Sequence, residues 1–323
     1  RHILDYLVEE VLRHQPEEIQ SFLYQTSILD RLTAPLCNAL TGRDDGQACL
    51  ESLELGNLFT LPLDDCRCWY RYHHLFADFL RQRLRALDPK LESTLQLRAS
   101  EWLEQNGLIA QAIDHALCGG DTERAARLLE STAGIIWGRG EQTTLLGWLE
   151  KLPESELCSR PTLCVYPALV LFTNGDYERA EQRLRSAEAA IRTCSVDVQA
   201  EHDGMANAVR AYMAFFRGDM AAVNQFSKRA LELLPETNLT WQGLANYTLG
   251  LSLRWGADLD GAARALTKAV QVSERGVWIY LTLLALGNLA AVHEQQGRLR
   301  RAEDFLRSGL ELAEAKGMLQ TMI

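Results

Sequence analysis

Two adjacent histidines, His73 and His74, are the residues of this chain whose types and position first suggest chemistry. They lie where a strand-like segment, Trp69 to Tyr72, passes into an amphipathic helical pattern. An imidazole at the start of a helix lies beside backbone N–H groups that have no partner within the helix, so both can face one anion. The pair therefore has two interpretations, a phosphate contact or a packed His73 with a local hydrogen bond from His74 to Asp78. Residue types alone favour the local, structural interpretation.

The helix that follows the histidines is predicted to bury one apolar stripe. Its members recur at helical spacing and are Tyr72, Leu75, Phe76, Phe79, Leu80 and Leu84. On a helical wheel His73 falls beside this stripe, whereas His74 and Asp78 fall on the polar face.

The segments before the histidines predict a winged-helix domain with one small β-hairpin. Helical patterns cover residues 3–13, 17–26, 34–40 and 44–55, with Thr33 as the N-cap of the third. Strand-like residues 58–63 and 68–72 flank a turn, and Pro62 confines the first strand to an edge. We expect no direct DNA binding by this domain, because the helix that would enter a groove carries acidic residues and neither Lys nor Arg.

From Asp88 onward the chain reads as helical to its end, first as a linker and then as a repeat. Three small residues at offsets 0, +12 and +19 recur four times with a period of 39 to 43 residues, and a turn lies between the first two of each set. Small residues permit the close crossing of two antiparallel helices, and the offsets match the tetratricopeptide (TPR) pattern. Eleven of the twelve positions are Gly or Ala, and the set is Ala168, Ala180, Ala187, Ala211, Val223, Ala230, Gly250, Ala262, Ala269, Ala290, Ala302 and Gly309. The fold class predicted is mainly α, a winged helix followed by a helical linker and a TPR-like α-α superhelix.

A superhelix of helix pairs offers a concave groove in which aromatic side chains can stack on a ligand or partner. An aromatic residue in a helical repeat is more commonly part of the core, so the sequence leaves both roles open. The six candidates in or near this region are Tyr212, Phe216, Tyr247, Trp255, Trp278 and Tyr280.

Composition and motifs exclude several functional classes. The 323 residues carry a net charge of −10 and no apolar run long enough for a transmembrane helix. No glycine-rich phosphate loop, nucleophile elbow or zinc-protease motif occurs, so we expect no enzyme activity and no catalytic residue. The eight cysteines are scattered, and the Cys66-x-Cys68 pair lacks a second pair, so we expect no metal site and buried free thiols. The chain begins without Met inside a helical pattern, which suggests a piece of a longer protein.

The segment from Tyr70 to Leu80, YRYHHLFADFL, resembles the MalT-like group of large ATP-binding LuxR-type bacterial regulators, which are signal-transduction ATPases (STAND). Four shorter segments support the resemblance, which spans essentially the whole chain and is weakest in the linker. These segments are Gln25–Leu29, Leu36–Gly42, Asn57–Phe59 and Leu63–Asp65.

The resemblance implies a division of labour within a longer chain. In such proteins the winged helix closes over ATP or ADP held by an upstream nucleotide-binding domain, and a C-terminal helix-turn-helix binds promoter DNA. The TPR-like repeats act as a sensor for an inducer or protein ligand. Aligning the histidine that contacts the β-phosphate of ADP in related ATPases selects His73, with His74 beside it. This implies nucleotide-sensing histidines, no cofactor held by this part alone, no membrane association and a cytoplasmic location.

The domain boundaries expected are 1–90 for the winged helix with a preceding helix, 91–160 for the linker with atypical repeats, and 161–323 for the sensor. An alternative remains open, in which the chain is a TPR-type interaction scaffold or the sensor module of another signalling protein such as a kinase.

Overall fold

The computed structural model describes residues 12–193, 196–276 and 278–317, which form two compact units that divide between Leu128 and Leu129. The helix expected at residues 3–13 falls almost entirely outside the described residues.

The first unit begins with three short helices, a hairpin and a longer helix, as expected for a winged helix. Their bounds are α1 Glu17–Thr26, α2 Ala34–Thr41, α3 Gly46–Leu55, β1 Thr60–Pro62, β2 Tyr70–Tyr72 and α4 His74–Leu87. The strands pair antiparallel with Thr60 opposite Tyr72, and Leu32 forms a further bridge to Tyr70. The side chain of Thr33 accepts a hydrogen bond from the Leu36 N–H, which confirms the predicted N-cap of α2.

The strands are shorter than the sequence predicts because the backbone turns on both sides of them. Asn57 and Phe59 have φ values of 51° and 52°, outside the strand region. At the other end the Asp64 carboxylate accepts hydrogen bonds from the backbone N–H groups of Cys68 at 2.8 Å and Trp69 at 3.2 Å. The hairpin loop is thereby fixed from Asp64 to Trp69, which leaves three residues in each strand.

The core of the winged helix lies where α4 packs over the helices and the hairpin. Phe76, Ala77, Leu80 and Leu84 of α4 are buried. Leu75, predicted as part of the buried stripe, is instead 45% exposed. At about 100° per residue it lies nearly opposite the centre of the buried face, which the spacing of the apolar residues alone did not reveal.

Two further helices pack as an antiparallel pair after the winged helix, α5 Pro89–Gln105 and α6 Ile109–Gly119. The Asp88 carboxylate caps α5 by accepting from the N–H groups of Lys90 and Leu91, and Pro89 occupies the first helical position. The Arg98 guanidinium donates to the Leu40 carbonyl oxygen at 2.9 Å, which ties α5 to α2. The helix α7 Thr122–Gly138 follows, and the division between the two units falls inside it.

The second unit contains four helix pairs at the predicted positions. After α8 Gln142–Leu149 and α9 Glu154–Ser159 come α10 Pro161–Thr173, α11 Tyr177–Ile191, α12 Val196–Phe216 and α13 Met220–Leu233. The remaining helices are α14 Leu239–Trp255, α15 Leu259–Arg275, α16 Ile279–Gln295 and α17 Leu299–Ala315. The mainly α fold with TPR-like pairs is therefore confirmed.

The small residues of the repeat lie in the predicted helix contacts. Eleven of the twelve are buried, and Gly309 is half-buried. A Cβ atom at Gly250 would approach the Leu266 Cγ atom to 2.6 Å, so α14 and α15 cross closely there. The second helix of the first three pairs is capped by Asp176, Asp219 and Asp258, each accepting from the N–H three residues on. The fourth pair has Arg298 at this position and no side-chain cap.

Among the described residues, no helix is both long enough and apolar enough to cross a membrane.

Candidate functional site

The two histidines lie at the junction of β2 and α4. His73 is the N-cap of α4, and its backbone N–H donates to the Phe59 carbonyl oxygen at 2.7 Å, which holds it against the segment before β1. The imidazole rings of His73 and His74 lie 4.4 Å apart and are tilted by 32°. Both side chains are exposed, so the packed His73 of the structural interpretation is not found.

The local hydrogen bond of the structural interpretation is also not formed. Asp78, its expected partner, lies 3.6 Å from an Arg81 guanidinium nitrogen instead. The cause is tertiary. Arg81 is held by the Ser27 carbonyl oxygen at 2.7 Å and the Asp30 carboxylate at 2.8 Å, which places its positive charge beside Asp78.

A cavity of about 330 Å³ lies in front of the histidines, and ten residues line it. They come from the loop after α1, from both strands and from the first two turns of α4. The lining residues are Leu29, Asp30, Leu61, Arg71, Tyr72, His73, His74, Ala77, Asp78 and Arg81.

Three side chains of this cavity, Arg71, His73 and His74, can donate to an anion, whereas the Asp30 and Asp78 carboxylates are paired with Arg81. Arg71 is exposed and precedes His73 by two residues, so the extended backbone places both on the same face of β2. The first N–H groups of α4 lack helical acceptors and add the positive end of the helix dipole. A phosphate group fits this set of donors.

Sequence reasoning placed Asp78 near the histidines but missed Asp30, Arg71 and Arg81. The two-residue spacing of Arg71 from His73 was a usable signal for a strand face. Asp30 and Arg81 had no such signal, because 51 residues separate the two partners of this ion pair.

The six predicted aromatic residues of the repeats divide between surface and core. Phe216, Trp255 and Tyr280 are 58%, 76% and 47% exposed. Trp278 is buried against Trp137, with ring centroids 5.8 Å apart in an edge-to-face arrangement. Tyr247 is also buried, and burial raises its pKa to about 12 while its hydroxyl accepts from Asn288 at 3.4 Å.

Only part of the predicted aromatic set comes together. Tyr212 and Phe216 lie 5.1 Å apart, and both contact Phe172 of the preceding pair at 5.9 Å and 5.4 Å. Phe172 and Tyr177 extend this cluster and were missed. The sequence offered one signal for Phe172. It follows the small residue Ala168 by four positions, so both lie on the same side of α10.

The cysteines depart from the expectation of buried thiols. Cys37, Cys49 and Cys164 are buried, whereas Cys66, Cys68 and Cys118 are exposed. The Cys66-x-Cys68 pair lies on the exposed hairpin loop, where its side chains have little to pack against. Within residues 12–193, 196–276 and 278–317, no group of three His, Cys, Asp or Glu residues is placed to hold a metal ion.

Comparison with known proteins identifies both parts of the chain. The MalT winged helix domain family matches residues 8–92, and the MalT-like TPR region family matches residues 204–323. The HTH-type transcriptional regulator MalT of Vibrio cholerae is 32% identical over 307 residues, which cover 91% of this chain and 34% of that protein. The regulator of the same name from Klebsiella pneumoniae is 31% identical over 315 residues, covering 97% of this chain and 34% of that protein.

Among solved structures, the fold resembles that of a Signal Transduction ATPase with Numerous Domains (STAND) protein with a tetratricopeptide repeat sensor from Pyrococcus horikoshii. The TM-score is 0.69 at 16% identity, over 97% of this chain and 47% of that one. The chain thus spans about a third of the length of its MalT relatives. With a MalT winged helix domain at 8–92 and a MalT-like TPR region at 204–323, the chain belongs to the MalT-like family over these two segments.

Proposed function

We propose that this chain is the winged-helix and sensor part of a MalT-like, ATP-dependent bacterial transcriptional regulator, with a regulatory rather than catalytic role. The observation that carries the proposal is the exposed His73–His74 pair, beside Arg71, on a winged helix of this family. The partners would be an upstream nucleotide-binding domain and a C-terminal helix-turn-helix of the same longer chain, acting in the cytoplasm.

In this role the histidines would read the nucleotide through its phosphates. His73 and His74 would donate from imidazole N–H groups to a phosphate oxygen, and the first N–H groups of α4 would face the same oxygens. The nucleotide supplies a state signal, since ADP and ATP differ in the terminal phosphate. The chain itself would contribute binding free energy from the histidines, which favours the closed, inactive arrangement when ADP is bound.

The repeats would bind the inducer or a protein ligand. Phe216 and Trp255 expose large aromatic surfaces that a ligand can cover. The winged helix itself would not read DNA, because α3 presents Glu51 and Glu54 and contains no Lys or Arg.

The test uses the full-length protein with His73→Ala. We expect ADP affinity to fall about tenfold or more, as for the loss of a hydrogen bond to a charged group. Basal activity from a promoter reporter should rise, because the inactive state loses a stabilising contact. The control is Gln82→Ala, an exposed residue of the same helix away from the cavity. The proposal fails if His73→Ala leaves both ADP affinity and basal activity unchanged.

A scaffold role is the second candidate, favoured by the same exposed aromatic residues of the repeats. The two are separated by asking whether Phe216→Ala in the full-length protein changes induction of a promoter or only the recovery of a protein partner. A change in induction supports the regulator, and a change in partner recovery alone supports the scaffold.

A further inference from the structure

A cavity of about 220 Å³ lies between the second and third helix pairs of the repeats. Leu231, Leu234 and Glu236 reach it from α13 and the loop that follows. Gln242 and Asn246 line it from α14, and Lys268, Val272 and Arg275 line it from α15. All eight residues belong to the second compact unit.

Two amide side chains form the floor of this cavity and are more than nine-tenths buried. Gln242 and Asn246 are 8% and 7% exposed. The Gln242 amide nitrogen donates to the Leu234 carbonyl oxygen at 2.9 Å, and the Asn246 amide nitrogen donates to the Gln242 carbonyl oxygen at 2.8 Å. The amide groups are thus fixed, and the amide oxygen of Asn246 is left to accept from whatever enters the cavity.

Two cations stand above the amides on one face of α15. Lys268 and Arg275 are seven residues apart, so helical geometry places them on the same side with buried Val272 between them. Both are exposed, and neither takes part in the ion pairs found for the described residues. Eight of the other fifteen arginines of the unit take part in ion pairs, as Arg210 does with Glu181 and Glu188. Two unpaired cations over buried amides favour an anionic ligand.

The cavity also has one negative charge, from Glu236, so a complementary ligand carries a positive group as well as negative ones. Glu236 is exposed at the edge, so the cavity carries two positive charges and one negative charge. A complementary ligand has two carboxylates for Lys268 and Arg275, and an ammonium group for Glu236 and the Asn246 amide oxygen. A cavity of about 220 Å³ has room for a molecule of amino-acid size.

We propose that this cavity is a binding site for a small amino dicarboxylate, with free glutamate and aspartate as the simplest members of the class. The inference deepens the part of the proposed function in which the repeats bind an inducer, and it is independent of the nucleotide-sensing role of the histidines, because the two cavities lie in different units of the chain. A failure of amino-acid binding therefore leaves the role of the histidines intact, and an unchanged ADP affinity of the His73 variant leaves this site intact.

The test is calorimetric titration of the full-length protein with L-glutamate and with L-aspartate. We expect saturable binding of at least one of them with a Kd of about 1 mM or tighter. Lys268→Met and Arg275→Met should each weaken that Kd about tenfold, because each removes a charge-assisted contact. Both side chains are exposed and unpaired, so these variants should keep the fold, and unchanged circular dichroism checks this. Arg300→Met, which removes an exposed cation on α17, is the matched control and should leave the Kd unchanged.

A second variant tests the selection of the ammonium group. Glutarate has both carboxylates but no ammonium, and should bind the unaltered protein about tenfold more weakly than glutamate. Glu236→Gln should reduce this preference. The proposal is overturned if neither amino acid binds, or if the Lys268 and Arg275 variants bind as tightly as the unaltered protein. It is also overturned if glutarate or inorganic phosphate binds as tightly as glutamate, which would mark an unselective anion site.

Discussion

At the scale of single residues, a hydrogen bond between two buried hydroxyl groups fixes the position of β2 in the winged helix. The Thr26 hydroxyl donates to the Phe22 carbonyl oxygen at 2.7 Å and lies 2.7 Å from the Tyr72 hydroxyl. A threonine hydroxyl has one hydrogen, so Tyr72 is the donor of this second bond. Tyr72 thereby connects β2, directly before the histidines, to the end of α1, and fixes the position from which α4 starts.

The buried thiol of Cys37 should make the stability of the winged helix sensitive to alkaline pH. Burial, reinforced by Cys49, raises the pKa of the Cys37 thiol from an ordinary value of 9.0 to about 12. Below pH 9 the thiol is neutral in both states, and above pH 9 it ionises in the unfolded chain first. We therefore expect the free energy of unfolding to be kept up to pH 9 and to fall by up to about 1.4 kcal/mol per pH unit until about pH 12.

Urea denaturation at pH 7, 9 and 10 measures this slope, and Cys37→Ala is the comparison. The variant should start less stable, since it loses a buried sulfur atom, but it should lose less stability between pH 9 and pH 10. An equal loss in both proteins would contradict the assignment to Cys37. Cys49, whose pKa burial also raises, remains in both proteins and contributes to the slope of each.

At the scale of elements, close crossings of helices depend on the few positions where a side chain would collide. Gly250 is such a position, since a Cβ atom there would lie 2.6 Å from the Leu266 Cγ atom and 2.9 Å from its Cδ2 atom. Gly287, on α16, also sits within a helix but has no atom within 4 Å of the place a Cβ atom would take. Comparing substitutions at these two glycines distinguishes the effect of packing on stability from the effect of helix propensity.

Substituting each glycine with alanine should change stability in opposite directions. Gly287→Ala should raise the free energy of unfolding by about 0.5–1 kcal/mol, because alanine is the better helix former and meets nothing. Gly250→Ala gains the same propensity but forces Leu266 to move, at about 1–3 kcal/mol, so we expect a net loss. Thermal or urea denaturation of the two variants measures the difference, and a shift in the same direction for both would show that the crossing is not tightly packed.

At the scale of the whole molecule, residues that precede the first repeat contact the repeats and so bear on where the sensor unit begins. Trp137 of α7 packs against Trp278, and a Cβ atom at Gly140 would meet the Tyr280 ring at 2.7 Å. Arg160 pairs with Glu130 at 3.1 Å. The positions of Trp137 and Gly140 bring the end of α7 against the repeats, and the Arg160–Glu130 pair connects α7 to the residue before α10. The sequence pattern suggested a linker that ends near residue 160.

Two fragments test where the sensor begins. We expect a fragment from Asp121, just before α7, to unfold cooperatively, and one from Pro161 to be less stable by about 3 kcal/mol or more, the cost of removing a buried tryptophan. Trp137→Ala in the longer fragment should reproduce much of this loss in urea denaturation. Equal stability of the two fragments would instead support a sensor domain that begins at 161.

The sequence by itself determined the repeat and the winged helix, because both follow from local spacing. Small residues at fixed offsets mark where helices must cross closely, and Thr33 and Asp88 mark helix starts through bonds to N–H groups two or three residues away. The position of His73 at the start of α4 was readable for the same reason.

Only the tertiary structure decided which side chains are available. Trp278, the N-cap of α16, is buried against Trp137 from a helix more than a hundred residues earlier, whereas Trp255, the last residue of α14, is exposed. Asp78 pairs with Arg81 and not with His74, because Ser27 and Asp30, more than fifty residues earlier, hold the Arg81 side chain beside it. Local propensity fixes the helices, but exposure and charge pairing are set by neighbours that are remote in sequence.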